Sequence, residues 1–137
     1  MKRVFVDTNV ILDVLLQRDG FWQDSMKIFE LAELGKIKAF VSASSMTDIF
    51  FASKKMLGAA VARHAIGSLL RLFEVVGVNK EDLFGALSVD IDDYEDALQA
   101  YCATKVGADA LITRDMAGFK NISIEVVSPI DFDLKAT

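Results

Sequence analysis

The sequence is poor in the residues on which several classes of site depend. It has one cysteine, Cys102, one histidine, His64, and one proline among 137 residues. A single cysteine cannot form an internal disulfide, which is typical of a protein of the reducing cytoplasm, and we expect Cys102 to pack in the core. One cysteine and one histidine make a zinc site unexpected. They also exclude a two-histidine nuclease mechanism, and we expect His64 to lie at the surface.

Other features are missing as well. No apolar run reaches the ~18 residues of a membrane span, and a charge interrupts the apolar segment near Met1, which excludes a secretory signal. There is no GxxxxGK[ST] loop and no GxGxxG fingerprint. Hydrophobic residues make up 53% of the chain, which excludes disorder. We therefore expect a single cytoplasmic domain over residues 1–137 with no membrane contact.

Short apolar segments alternate with helical patterns along the chain. A parallel α/β sheet of four to five strands, covered on both faces, is typical of this pattern. The predicted strands are 3–6, 39–41, 75–78, 110–112 and 125–127. Two helices are predicted at 21–34, where Gly35 closes the helix, and at 59–72. A third begins at Ser44 or Ser45, and a short fourth begins at Asn79 with Asp82. The last begins at Asp92, with Glu95 completing a capping box, and ends at Gly107.

Four acids stand at places where such a fold concentrates its chemistry. Asp7 ends the first strand, Asp115 follows the fourth, and Asp48 and Asp96 lie in the first turns of helices. The carboxyl ends of parallel strands share one edge with the amino ends of the following helices, so all four face one cleft. Carboxylates crowded together repel one another, and Mg²⁺ or Mn²⁺, which prefer oxygen ligands, relieve the repulsion. The pattern predicts a metal site that activates water for hydrolysis at phosphorus.

Each acid also has a structural explanation. Asp7 could cap the N-terminus of a helix, and Asp115 could begin a turn. Asp48 could be only a favourable charge near a helix N-terminus. Asp96 shares its turn with other acids, among which Asp93, three residues away on the same face, is a candidate accessory ligand. Their common placement at one edge favours the metal site.

Charge is segregated along the chain, although the net charge is −5. Residues 49–73 contain no aspartate or glutamate, and their basic residues are Lys54, Lys55, Arg63 and Arg71. Residues 81–104, in contrast, contain seven acids and no lysine or arginine. The basic segment is a candidate for holding phosphates and the acidic one for holding cations. For Arg63 and Arg71, a solvated helical face is an equally good explanation.

The segments VDTNVILD, SASSMTDIF and DDYEDALQAYCATKVGADALITRD, with the spacing between them, resemble the PIN-domain ribonucleases over about residues 3 to 128. The similarity is greatest to bacterial PIN proteins akin to VapC-like toxins. The resemblance implies a three-layer α/β/α fold with a central parallel sheet. It also implies a Mg²⁺- or Mn²⁺-dependent endoribonuclease, commonly a homodimer, and in the toxin branch an antitoxin protein as partner.

The resemblance also assigns roles to individual residues. Asp7, Asp96 and Asp115 match metal-binding acids, and the positions that orient them or the metal's water are Thr8, Asn9, Ser42 and Thr113. Asp48 stands where the family usually has Glu, and its carboxylate is shorter by one bond, roughly 1.5 Å. We therefore expect one of two arrangements in catalysis: a water fills the gap between Asp48 and the metal, or the helix that carries Asp48 lies closer to the metal. Lys54, Lys55 and Arg114 are the candidates for contact with the RNA backbone.

Two other functions remain open at the level of sequence. An aspartyl-phosphate phosphotransferase of the haloacid-dehalogenase type would use Asp7 as a nucleophile. That chemistry requires a second aspartate two residues later, where this chain has Asn9. A non-catalytic, regulatory binding module of the same fold is the third hypothesis, and the replacement at Asp48 is the best argument for it.

Overall fold

A computed structural model describes residues 1–134. At its centre is a five-stranded sheet in the order β3-β2-β1-β4-β5, in which every neighbouring pair is parallel. The strands are β1 (Lys2–Val6), β2 (Ile37–Ser42), β3 (Glu74–Val76), β4 (Ala110–Ile112) and β5 (Glu125–Val127). The predicted parallel sheet is confirmed. β2 is longer than its central apolar residues indicate, and β3 begins and ends earlier.

Six helices connect the strands. They are α1 (Thr8–Leu15), α2 (Trp22–Glu33), α3 (Ser45–Leu57), α4 (Ala59–Leu72), α5 (Lys80–Ala86) and α6 (Tyr94–Lys105). A 3₁₀ turn, Met116–Phe119, follows β4 where the sequence predicts a turn.

Alternate residues of the central strand point into two separate cores. Val4 and Val6 pack with residues of α1 to α4, while Phe5 packs with residues of α5, α6 and the 3₁₀ turn. Helices therefore cover both faces, and the predicted three-layer α/β/α arrangement is confirmed. Cys102 is fully buried in the second core, as expected, and His64 is exposed on α4.

Helix ends follow the sequence signals with one correction. Gly35 and Gly107 have positive φ after α2 and α6, the conformation in which glycine closes a helix. At the start of α6, however, the capping residue is Asp93 rather than Asp92, because Asp93 Oδ1 accepts from the backbone N–H of Asp96 at 2.9 Å. The side chain three residues after the cap is thus Asp96, which the cap places at the sheet edge.

Among residues 1–134, no helix combines the length and the apolar composition that a bilayer span requires.

The amino end of α5 is held by a complete capping box. Asn79 Oδ1 accepts from the Asp82 N–H at 3.1 Å, and Asp82 Oδ2 accepts from the Asn79 N–H at 3.0 Å. Asp82 Oδ2 also accepts from Lys105 Nζ at 2.8 Å, which joins α5 to the end of α6. The Lys105 ammonium, followed by the Asn79 backbone N–H, lowers the pKa of Asp82 below its ordinary value.

Replacing the capping side chain tests this description of α5. We expect Asn79→Ala to lower the free energy of unfolding by about 1 kcal/mol, because the Asp82 N–H loses its acceptor. Denaturant unfolding measures the change. Ser88→Ala, an exposed position just beyond the same helix, serves as the control, and equal stability of the two variants would contradict a role for the cap.

Candidate metal centre at the carboxyl edge of the sheet

Asp7 is held by side chains from two other elements rather than by its own helix. It follows β1 and is only 4% exposed. Its Oδ1 accepts from Gln99 Nε2 at 3.0 Å and its Oδ2 accepts from Thr113 Oγ1 at 2.8 Å. Its side chain makes no capping hydrogen bond to α1. The sequence favours a site residue over a helix cap for Asp7. In the structure its carboxylate faces α6 and the end of β4 and does not cap α1.

The register of the sheet brings Asp7 and Thr113 together. Val6 pairs with Ile112, and the Asp7 N–H donates to the Ile112 carbonyl at 2.9 Å, so the next residue of each strand lies side by side. Thr113 Oγ1 also accepts from the Asp115 N–H at 2.9 Å. A single hydroxyl therefore fixes one acid through its carboxylate and another through its backbone.

Asp96 and Asp115 approach each other across Gly118. Asp115 Oδ1 accepts from the Gly118 N–H at 3.2 Å. A Cβ atom on Gly118 would lie 2.7 Å from Asp115 Oδ2 and 3.3 Å from Asp96 Oδ2. The distance to Asp115 Oδ2 is too short for a contact between two such atoms. A side chain at this position would therefore displace the Asp115 carboxylate. Both acids line a cavity of about 550 Å³ whose other charged lining residues are Asp90, Asp92, Asp93 and Lys120.

The crowding of acids changes their proton affinity. Partial burial raises the pKa of Asp96 to about 6, and the nearby carboxylates of Asp93, Asp7, Asp115 and Glu95 add to the rise. Burial also raises the pKa of Glu95, with further contributions from Asp48, Asp93 and Asp7. Asp48 and Glu95 thus act on the same group of acids, although Asp48 itself is exposed in the first turn of α3.

The donor set fits a hydrated hard cation. Its charged donors are all carboxylate oxygens, and Gln99 Oε1 is a buried acceptor without a hydrogen-bond partner among the described residues. Within residues 1–134, no three Asp, Glu, His or Cys side chains lie close enough to enclose an ion by themselves. Mg²⁺ keeps several of its waters and contacts only one or two carboxylates in many proteins, so a centre without three converging ligands is compatible with this ion.

The other predicted site residues are spread around this centre. Thr8 Oγ1 donates to Ser45 Oγ at 2.8 Å and thereby joins α1 to α3. The buried Ser42 Oγ lies 2.6 Å from Ser44 Oγ, and Asn9 is exposed at the start of α1. Asp93 acts through its cap on α6.

The basic candidates differ in their surroundings. Lys54 and Lys55 are exposed in the last turn of α3, and Arg63 and Arg71 are exposed on α4. Arg114, in contrast, makes a two-point ion pair with the buried Asp13.

Two residues of this region were not predicted, Gln99 and Asp13. Gln99 follows Asp96 by three residues, so it lies on the same helix face, and this spacing is a signal that sequence reading could have used. Asp13 interrupts the apolar run ILDVLL, where a charge requires a partner. The partner itself, 101 residues further along, has no signal in the sequence.

Comparison with known proteins gives one family. A model described as PIN domain matches residues 3–117. Ribonuclease VapC1 of Aquifex aeolicus (strain VF5) is 24% identical over 136 residues, which cover 96% of this chain and 93% of that protein.

Solved structures agree in fold. VapBC2 from Rickettsia felis, bound to a DNA fragment from its promoter, has a TM-score of 0.70 at 15% identity and covers 96% of this chain and 99% of that chain. A toxin–antitoxin complex from Klebsiella pneumoniae has a TM-score of 0.69 at 18% identity, with 94% and 99% covered. At these identities, the likeness shows that the fold is shared.

Neutralising Asp96 tests the crowding. A carboxyl group whose pKa is raised in the folded state binds its proton more tightly there, so folding loses stability as the pH rises from about 4 through 6. We expect Asp96→Asn to stabilise the metal-free protein at pH 7 by on the order of 1 kcal/mol, allowing for solvent screening, and not at pH 4. Melting temperatures in chelator at the two pH values measure this. Glu30→Gln, at an exposed position on α2, is the control. If Asp96→Asn had no higher melting temperature at pH 7 than this control, repulsion between Asp96 and its neighbouring carboxylates would be refuted.

Proposed function

Because the chain belongs to the PIN-domain family, we propose that it is a metal-dependent endoribonuclease that hydrolyses RNA phosphodiester bonds. The observation that carries the proposal is the convergence of Asp7, Asp96 and Asp115 at the carboxyl edge of the sheet, where two donors hold Asp7 and burial raises the pKa of Asp96. The name of the similar Aquifex aeolicus protein, a ribonuclease, supports it.

We assign Mg²⁺ or Mn²⁺ to Asp7, Asp96 and Asp115. When bound, such an ion activates water for attack and stabilises the charge that develops on the phosphate. The chain's own residues provide the geometry. Gln99 and Thr113 orient the carboxylate of Asp7, and the Thr113 hydroxyl and the Gly118 N–H fix Asp115.

The remaining acids and polar residues have accessory roles in this proposal. Asp93 caps the helix that presents Asp96. The exposed Asp48 faces the same group of acids as Glu95 and acts through water, in keeping with its short side chain. Thr8, Asn9 and Ser42 support the α1 and α3 ends of the cleft, Thr8 through its hydrogen bond to Ser45.

The sequence around Asp7 disfavours the phosphotransferase hypothesis. That chemistry requires a second aspartate two residues after the nucleophile, and this chain has Asn9 there. The binding-module hypothesis differs from the nuclease only in activity, and the cleavage assay below separates the two.

We also propose that the protein is the toxin of a toxin–antitoxin pair, acting in the cytoplasm and forming a homodimer. Similar solved structures are of toxin–antitoxin complexes. Large apolar side chains are exposed on α3, on α5 and just after α5, among them Phe51 at 62%, Met56 at 71%, Phe84 at 62% and Leu87 at 68%. Next to Phe51, a cavity of about 350 Å³ opens between α3 and α4. Exposed apolar surface of this kind fits a protein partner.

The test of the activity is the substitution of one ligand. We expect Asp7→Asn to reduce RNA cleavage by more than about 10²-fold, since loss of even an outer-shell partner of a metal costs 10–100-fold. Asparagine is nearly isosteric, so the fold should be retained. Cleavage of RNA by the purified protein with Mn²⁺ and with chelator measures the effect.

His64→Ala is the control for that assay. His64 is exposed on α4, away from the acids, and its removal should leave the rate within a few-fold of wild type. A wild-type rate in Asp7→Asn, or a large loss in His64→Ala, would mean that the chemistry belongs to other residues.

The exposed lysines of α3 lead to a separate prediction. Lys54 and Lys55 lie six and seven residues beyond Asp48 on one helix, or ~9–10 Å at 1.5 Å per residue. We propose that they contact phosphates. Changing both to Ala should weaken binding equally across RNA sequences and flatten the logarithmic salt dependence by about 0.7 for each lost contact with single-stranded RNA. Lys36→Ala, at the opposite edge of the sheet, is the control, and an unchanged salt slope would place both lysines on a solvated face.

A further inference from the structure

Asp13 is a fully buried charge at the centre of an ion-pair network. It lies on α1 and is 0% exposed. Its Oδ1 lies 3.3 Å from Arg18 Nη1, and its two oxygens accept from Arg114 Nη2 at 3.0 Å and Arg114 Nε at 2.6 Å. A buried carboxylate requires such pairing, because desolvation of an unpaired charge costs several kcal/mol.

Arg114 is fixed on two sides. Its Nε and Nη2 form the planar fork that matches a carboxylate, and its guanidinium carbon lies 3.9 Å from the centre of the Phe21 ring. Salt bridge and ring contact together define the orientation of this side chain. A lysine has one point charge and cannot reproduce both contacts.

The segment that Arg114 anchors carries the proposed metal site. Arg114 stands between Thr113, which donates to Asp7, and Asp115, whose N–H donates to Thr113 Oγ1. Asp13 lies on α1, the helix that begins directly after Asp7. Asp13 and Arg114 are 101 residues apart in sequence. Their ion pair therefore connects α1, which follows Asp7, with the loop that carries Asp115.

We propose that Asp13 and Arg114 are positioning residues that hold the 113–115 segment in the geometry the metal site requires. This inference rests on the proposed function for its metal readout. It also assigns Arg114 a role other than RNA contact, because its guanidinium is engaged by Asp13 and Phe21.

The experiment compares two substitutions of the same kind. Arg114→Met removes the fork and leaves Asp13 with Arg18. Lys105 is the last residue of α6, and Lys105→Met removes the ion-pair partner of Asp82, another buried acid. Asp82 still accepts from the Asn79 N–H in this variant. We expect Arg114→Met to weaken Mn²⁺ binding, measured by calorimetry, about tenfold, the lower end of the range for outer-shell partners. Lys105→Met should leave the affinity within twofold, and Arg114→Lys should fall between Arg114→Met and wild type.

A second readout does not depend on the metal. Without the anchor, the Asp115 N–H should exchange with solvent at least tenfold faster in Arg114→Met, and its exchange in Lys105→Met should match wild type. Absence of Mn²⁺ binding in the wild type would sink the proposed function, whereas the exchange comparison would still test the anchor.

Two results would overturn the proposal. One is equal Mn²⁺ affinity and equal Asp115 exchange in Arg114→Met and Lys105→Met, which would make the pair a contributor to overall stability alone. The other is unchanged Mn²⁺ affinity in Arg114→Met together with weaker RNA binding and a flatter salt dependence, which would make Arg114 an RNA contact.

Discussion

The parallel pairing of β1 with β4 is the constraint on which the site depends. It places Asp7 beside Thr113 and directs both to the edge where α6 begins. Carboxylates gathered there are unfavourable in the absence of compensation, and the chain compensates only part of the cost. Gln99 and Thr113 stabilise the charge on Asp7. Among residues 1–134 no side chain donates to the Asp96 carboxylate, and partial burial raises its pKa to about 6. The fold thus maintains a concentration of negative charge that a cation relieves.

Several features away from the acids follow from the same constraint. Gly118 leaves room for the Asp115 carboxylate, which a side chain there would displace. The cap from Asp93 sets where α6 begins and hence where Asp96 stands. Asp13 and Arg114 bury a charge to fix the loop after β4. Each is a stability cost or a restriction on sequence that the fold alone does not explain, which is typical of a functional site.

Sequence reasoning recovered the sheet because its strands are short, apolar and bounded by helix signals. It also predicted that Asp7, Asp96 and Asp115 would meet, since strand ends share an edge. It placed the cap of α6 one residue too early, at Asp92 instead of Asp93. It also missed the hydrogen bond from Gln99 to Asp7, because these residues lie 92 positions apart in sequence. The ion pair between Arg114 and Asp13 is the clearest case, because nothing in the sequence indicates that these two residues meet. The metal ligands and RNA contacts themselves stay predictions.

The most direct test of the central claim is a titration of the metal-free protein with Mn²⁺, followed by calorimetry and by the melting temperature. We expect saturable binding and a melting temperature that rises with metal, equivalent to about 2.7 kcal/mol of added stability at 100 times the dissociation constant. Absence of saturable binding at millimolar Mn²⁺, with an unchanged melting temperature, would contradict a cation site among these carboxylates.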